Sequence, residues 1–160
     1  MKITGLSINC MEYQQDFWMS SASANQIYNK RFCILVRIMT DEGIVGIGES
    51  DYPGGPPSSV VSVLEKELGP SLIGKNPLDM YYMHIQHSRV GIHMHAISGI
   101  DIALWDIAGK VAGLPCYRLW GGHHNLIPAY SSGGMYYGLP GENPDGMLGM
   151  ESEMAYTKEK

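Results

Sequence analysis

The stretch Phe32-Cys33-Ile34-Leu35-Val36-Arg37-Ile38-Met39-Thr40-Asp41-Glu42-Gly43-Ile44-Val45-Gly46-Ile47-Gly48-Glu49 decides the reading of the fold. Phe32, Ile34, Val36 and Ile38 recur at period two and so fall on one face of a strand, while Cys33, Leu35, Arg37 and Met39 make a mixed second face. Asp41-Glu42-Gly43 supplies a turn in which Gly43 is free to take a positive φ. Residues 44–49 return as another strand, and so short a connection makes the pair antiparallel. Upstream, Ile3, Leu6 and Ile8 mark a strand over residues 2–9, interrupted by Gly5. A three-stranded meander is the simplest arrangement of these segments.

Helical periods follow. Val60, Leu64 and Leu68 recur every fourth residue after Pro56-Pro57-Ser58-Ser59, read as a stop and an N-cap. Asn76-Pro77 starts a second helix, with Leu78, Tyr81, Tyr82 and Ile85 sharing a face. A third runs from about His93, with Ile97, Ile100, Leu104, Ile107 and Val111 along one side, and ends at Gly113 and Pro115. Gly99, Ala103, Ala108 and Gly109 leave it little bulk, so another backbone can approach closely. Strands followed by segregated helices predict an α+β domain over residues 1–122. Beyond Gly121-Gly122, residues 126–132 read as a new strand, and residues 143–160 as the beginning of a helix with Met147, Met150 or Glu151, and Met154 at helical spacing. Those two elements cannot form a second core alone, so the architecture is expected to be incomplete.

Composition bounds the function. With 44% hydrophobic and 17% charged residues among 160, the chain has an ordinary globular balance. A net charge of −5 argues against nucleic acid as a partner. No apolar run reaches the roughly 18 residues of a membrane span, and the first residues lack the pattern of a secretory signal. Cys10, Cys33 and Cys116 are odd in number and widely spaced, which fits a reducing cytoplasm rather than a disulfide framework.

Two connections are too long to be passive. Residues 10–31 show no credible strand or helix, and residues 50–57 are stiffened by proline and opened by glycine. In a meander, strands one and three run the same way, so both connections leave the sheet at the end opposite the 41–43 turn. A lid over a substrate is expected there, with Phe17, Trp18, Tyr28 and Tyr52 as the substrate-facing candidates; for each, anchoring of its own loop is the alternative.

Other polar groups read as structural. The six histidines make no converging set: His93 and His95 are two apart, His84 and His87 lack a third ligand, and His123-His124 sit in a boundary loop. Gly43-x-x-Gly46-x-Gly48 has the wrong order and context for a dinucleotide loop. Glu49 and Asp51 lie on one strand end, too close in sequence to flank a substrate. Asp101 and Asp106 lie in an apolar helix, where an unpaired carboxylate would cost several kcal/mol, so each is expected to accept hydrogen bonds from backbone or from a base such as Lys110 or Arg118.

The run Ala96-Ile97-Ser98-Gly99-Ile100-Asp101-Ile102-Ala103-Leu104-Trp105-Asp106-Ile107-Ala108-Gly109-Lys110, with Pro115, Leu119 and Gly121-Gly122, resembles the first signature of the mandelate racemase/muconate lactonizing group of the enolase superfamily. Cys116 and Trp120 depart from it, standing where aliphatic residues are usual. The order of elements agrees along the whole chain. The resemblance implies an enolase-like N-terminal capping domain over residues 1–122. Residues 123–160 would then be the first strand and the start of the first helix of a truncated (β/α)8 barrel. It also implies abstraction of the proton α to a carboxylate by a Lys or His base, with Mg2+ stabilising the enediolate. Ligands and bases come from later barrel strands, so no catalytic and no metal-binding residue is carried over, and the chain by itself is expected to bind no Mg2+. Ala129-Tyr130-Ser131-Ser132-Gly133-Gly134 resembles most the acid-sugar dehydratases. A hydro-lyase acting on a small carboxylate or sugar acid is therefore the first expectation for the complete enzyme, taken to be a cytoplasmic homo-oligomer. A racemase or cycloisomerase of the same family, or a non-catalytic remnant of the capping domain, is the alternative.

Overall fold

Ile34, Val36 and Ile38 are fully buried while Leu35 and Arg37 between them are not, so the period-two pattern is realised in one strand with a single core face. The computed structural model describes residues 1–21, 26–52, 56–79, 92–124, 126–129 and 136–137. Strands β1 (Ile3–Ser21), β2 (Gln26–Thr40) and β3 (Val45–Ser50) lie in one antiparallel sheet, and a two-residue strand β4 (Tyr136–Tyr137) adds to the far side of β1, giving the order β3-β2-β1-β4. Gly43 closes the β2–β3 turn at φ +79°, as the sequence predicts. The opposite edge of β1 begins covered: Ile3 donates to Lys75 O and accepts from Gly74 N.

Residues 10–21 and 26–31 contradict the expectation of an irregular connection, and residues 22–25 lie outside the described residues. The former extend β1 to Ser21 and begin β2 at Gln26. The signal was present but diluted: Met11, Tyr13, Phe17 and Met19 alternate with Glu12, Gln14, Asp16 and Ser20, interrupted by Gln15 and Trp18. Polar residues make acceptable strands when a paired neighbour satisfies their backbone, which periodicity does not report.

The helices stack on the core face of the sheet. Helix α1 (Ser58–Val63) runs into a π-helical turn (Leu64–Leu68) and a short α2 (Gly69–Leu72), burying Val60, Val63, Leu64, Leu68 and Leu72. Pro70 explains the widened turn, since it has no N–H and its ring crowds the carbonyl four residues back. Gly69 fits beside it because a Cβ there would come within 2.7 Å of Leu64 O. The predicted serine cap is not used: Pro57 precedes α1 without a side-chain cap, and Ser59 Oγ donates instead to Pro56 O at 2.9 Å. At residue 76 Leu78 N donates to Asn76 Oδ1 at 3.1 Å, and residues 77–78 form a turn where the sequence predicts a helix start. The body of the predicted helix, with Tyr81, Tyr82 and Ile85, lies outside the described residues.

Helix α3 (Ile92–Ala112) carries the remainder of the core through Ala96, Ile97, Ile100, Ala103, Leu104 and Ile107. Val111, predicted on that stripe, is 46% exposed, being a turn beyond Ile107, the last residue of the stripe in the core. The helix ends with Gly113 at φ +64°, Leu114 N bonded to Gly109 O and Gly113 N to Lys110 O, the paired termination that a left-handed glycine permits. The short α4 (Cys116–Leu119) ends the same way through Gly121 and Gly122. Residues 126–129 take no regular structure and Leu126 is 89% exposed, so the strand predicted over 126–132 is absent from its described part; a strand forms only where a neighbour pairs its backbone. The predicted helix at 143–160 lies outside the described residues, as do residues 130–132.

One tightly packed seam among the described residues is built largely from backbone. Gly46, Gly48 and Ser50 form the buried face of β3, pressed on Gly99, Ala103 and Ile107 of α3. A Cβ on Gly48 would overlap Gly99 O and come within 2.7 Å of Ala103 N; one on Gly46 would overlap Ala103 O. One on Gly99 would overlap Ser50 Oγ. These obstacles are mostly backbone and cannot swing aside. Gly48→Ala is therefore expected to destabilise the chain by about 3 kcal/mol, whereas Gly43→Ala, with nothing within 4 Å, should cost only its backbone strain, about 1 kcal/mol. Urea midpoints of the two variants check the difference.

Candidate functional site

The chain divides into two units. One comprises residues 1–11 and 32–124; the other comprises residues 12–31 and 125–160. The second unit holds three of the four lid candidates. Phe17 and Trp18 fall on β1 and Tyr28 on β2, in strands rather than in a loose loop. Lys30 Nζ and Glu12 Oε1, 2.6 Å apart, tie the two strands together. The register against β4 pairs Trp18 with Tyr137 and Met19 with Tyr136. Tyr136 and Tyr137 escaped the reading of the sequence; two aromatic residues between Gly133-Gly134 and Gly138 were the signal available.

The fourth candidate, Tyr52, lies in the first unit just after β3. Its half-buried ring meets Phe32 edge-on at 5.5 Å between centroids and packs on the core cluster. The preceding residues fasten this point to the first turns of α3. Ser50, 2% exposed, directs Oγ to Ala96 O at 3.5 Å, and Asp51 Oδ2 lies 3.6 Å from His95 Nδ1. His93 Nε2 lies 3.1 Å from Glu67 Oε2, joining α3 to the π-helical turn. Residues 53–55 of this connection lie outside the described residues.

The Asp106 carboxylate in α3 acts on structure. Ladder bonds alternate along β3, and Thr40 N donates to Ile44 O, so residues 45, 47 and 49 direct their backbone groups away from β2. Asp106 Oδ2 accepts from Ile47 N at 2.8 Å and from Lys110 Nζ at 2.6 Å, while Lys110 Nζ also donates to Val45 O at 2.7 Å. One i, i+4 pair thus occupies the exposed strand edge, as the reading of Asp106 anticipated. Asp101 is half-buried. The two departures from the family signature also pack: Cys116 Sγ donates to Trp105 O at 3.4 Å, and Trp120 meets Trp105 edge-on at 5.3 Å.

Glu49 neighbours Cys33. Burial first, then a hydrogen bond and the negative charge of Glu49, push the Cys33 thiol above its ordinary pKa, which makes Cys33 a poor nucleophile. His123 and His124 sit with ring centroids 4.1 Å apart, both exposed. Among the described residues no three His, Cys, Asp or Glu side chains converge, so these residues do not fit a Mg2+ site. Among them, too, no helix is long and apolar enough to cross a membrane. His84 and His87 lie outside the described residues.

Comparison with known proteins gives this arrangement a context. Residues 13–121 match the profile of the mandelate racemase / muconate lactonizing enzyme N-terminal domain. A D-galactonate dehydratase family member from Marinomonas sp. (strain MWYL1) is 43% identical over 58% of this chain and 24% of its own length. D-galactarolactone cycloisomerase from Agrobacterium fabrum is 34% identical over 97% of this chain and 40% of its own length. The crystal structure of a member of the enolase superfamily from Polaromonas sp. JS666 superposes with a TM-score of 0.79 at 34% identity, covering 99% of this chain and 41% of that one. The chain therefore spans between a quarter and two fifths of the length of these relatives, and its meander and helices are those of an enolase-like N-terminal capping domain.

Two outcomes test the structural assignments. Asp106→Ala should lose about 1 kcal/mol, because water replaces part of what the half-exposed edge gives up, and Asp106→Asn, which keeps an acceptor for Ile47 N, should lose less; denaturant titration reads both. With iodoacetamide at pH 8, Cys33 should be alkylated more slowly than the exposed Cys10, as peptide mass spectrometry resolves.

Proposed function

Because this chain belongs to the mandelate racemase/muconate lactonizing enzyme family of the enolase superfamily, we propose that it is the capping portion of an enzyme that removes the proton α to the carboxylate of a sugar acid. The observation that carries this reading is the likeness, over 99% of this chain, to an enolase-superfamily structure, together with relatives named for sugar-acid dehydration and cycloisomerisation. Mg2+ would supply charge stabilisation for the enediolate in the complete enzyme. The described residues do not fit that ion, so this chain's contribution is to cover and orient a substrate and to exclude water.

Phe17, Trp18, Tyr28 and Tyr52 are the proposed covering residues. Dehydration of an acid sugar is the first reading, supported by the dehydratase relatives. Cycloisomerisation is the second, and coverage favours it: the cycloisomerase aligns with 97% of this chain against 58% for the dehydratase family member. A cytoplasmic homo-oligomer is part of the proposal for the complete enzyme.

The full-length protein, incubated with Mg2+ and a panel of sugar acids and their lactones, distinguishes the readings by product mass. Loss of one water identifies a dehydratase, an unchanged mass with a new retention time a cycloisomerase, and no turnover of any member overturns the substrate class. In the same protein, Trp18→Ala and Tyr52→Phe should change KM at least several-fold with little change in Tm; Tyr52→Phe keeps the ring that meets Phe32 and removes only the hydroxyl. Loss of Tm with unchanged KM in both variants would assign these aromatics to anchoring alone.

A further inference from the structure

The second unit contains a pairing that the reading of a two-stranded cover does not require. Strand β4 is two residues long, comes from the far end of the chain, and lies against β1 at Trp18 and Met19, close to where β1 ends at Ser21. Its neighbours in sequence are Gly133-Gly134 on one side and Gly138 on the other. A two-residue strand adds at most a pair of ladder bonds, which makes its docking reversible. The β1–β2 ribbon it joins mixes polar residues (Glu12, Gln14, Gln15, Asp16 and Lys30) with its aromatic ones, and an antiparallel pair gains independent stability when a third strand is added.

We propose that the Tyr136–Tyr137 strand is a latch that holds the β1–β2 ribbon over the substrate, by strand addition to β1 at Trp18 and Met19. Tyr136 and Tyr137 are then positioning residues: they act through the ribbon, and release of the strand lets substrate in and product out. The inference rests on the proposed reading of the ribbon as a substrate cover. It goes beyond that reading in assigning the closure of the cover to a segment more than a hundred residues away.

The test uses the full-length protein with Tyr136→Pro and Tyr137→Pro, which oppose strand pairing, and Tyr136→Phe and Tyr137→Phe, which keep it. Amide hydrogen exchange of the peptide spanning residues 17–20 and tryptic cleavage after Lys30 and Arg31 need no substrate. Both should rise at least tenfold in at least one proline variant, with far-UV circular dichroism unchanged, and neither should change in the phenylalanine variants. On a substrate found by the panel above, the same proline variant should raise KM at least fivefold while kcat is unchanged or increased, as expected when closure rather than chemistry is weakened. Wild-type exchange and cleavage in both proline variants would overturn the latch. Faster exchange with unchanged KM and kcat would also overturn it, leaving β4 as a strand with no part in the cover. If no sugar acid is turned over, the proposed function fails, while the exchange and cleavage measurements still decide whether β4 holds the ribbon.

Discussion

The rest of the first unit depends on one close approach: the backbone of β3 lies against the backbone of α3, with Gly46 and Gly48 facing Gly99 and Ala103. Helix and strand ordinarily stand apart by the thickness of their side chains. Here that layer is missing along one line, so the helix sits lower on the sheet than its apolar residues alone would set it. Two other features follow. Ser50 Oγ reaches Ala96 O only because nothing intervenes, and Asp106 and Lys110, on the flank of α3, come within bonding distance of the β3 edge. An open strand edge is a template for unwanted pairing; in this fold the helix that packs on the strand also caps it.

This geometry changes the meaning of the signature. The run from Ala96 to Lys110 identifies the family, yet the contacts made by Gly99, Ala103, Asp106 and Lys110 are contacts with β3. The motif records how a helix sits on a strand. It therefore speaks strongly for fold and weakly for substrate. The unusual residues within or just after it, Cys116 and Trp120, tell the same story, since both spend their contacts on Trp105.

Much of the fold was legible because local rules and tertiary structure agreed. The 32–49 hairpin has strict alternation, a turn glycine that takes φ +79°, and a core that uses the predicted face. The end of α3 at Gly113 was equally plain. The failures share a cause: they turn on partners that sequence does not display. Strand β1 beyond residue 9 is sustained by pairing despite its polar residues, and residues 126–129 lack regular structure despite their apolar ones. Ser58 and Ser59 carry the right chemistry for a cap, but the chain turns one residue too early for either to use it. For the candidate site, the sequence offers aromatic residues as candidates but not the strand pairing near them. Phe17, Trp18 and Tyr28 could be named from the sequence, whereas β4 is specified by a meeting between distant segments that no window along the chain contains.

The bare inner face of β3 also bears on how such a domain can be re-engineered. A core of interlocking side chains can be repacked, one larger residue being accommodated by a smaller one opposite. A backbone-to-backbone seam offers no such exchange, because neither partner has anything left to give up. Helix α3 and strand β3 therefore behave as one indivisible part. A chimera that takes the helix from one relative and the strand from another would succeed only if both parents met at the same spacing.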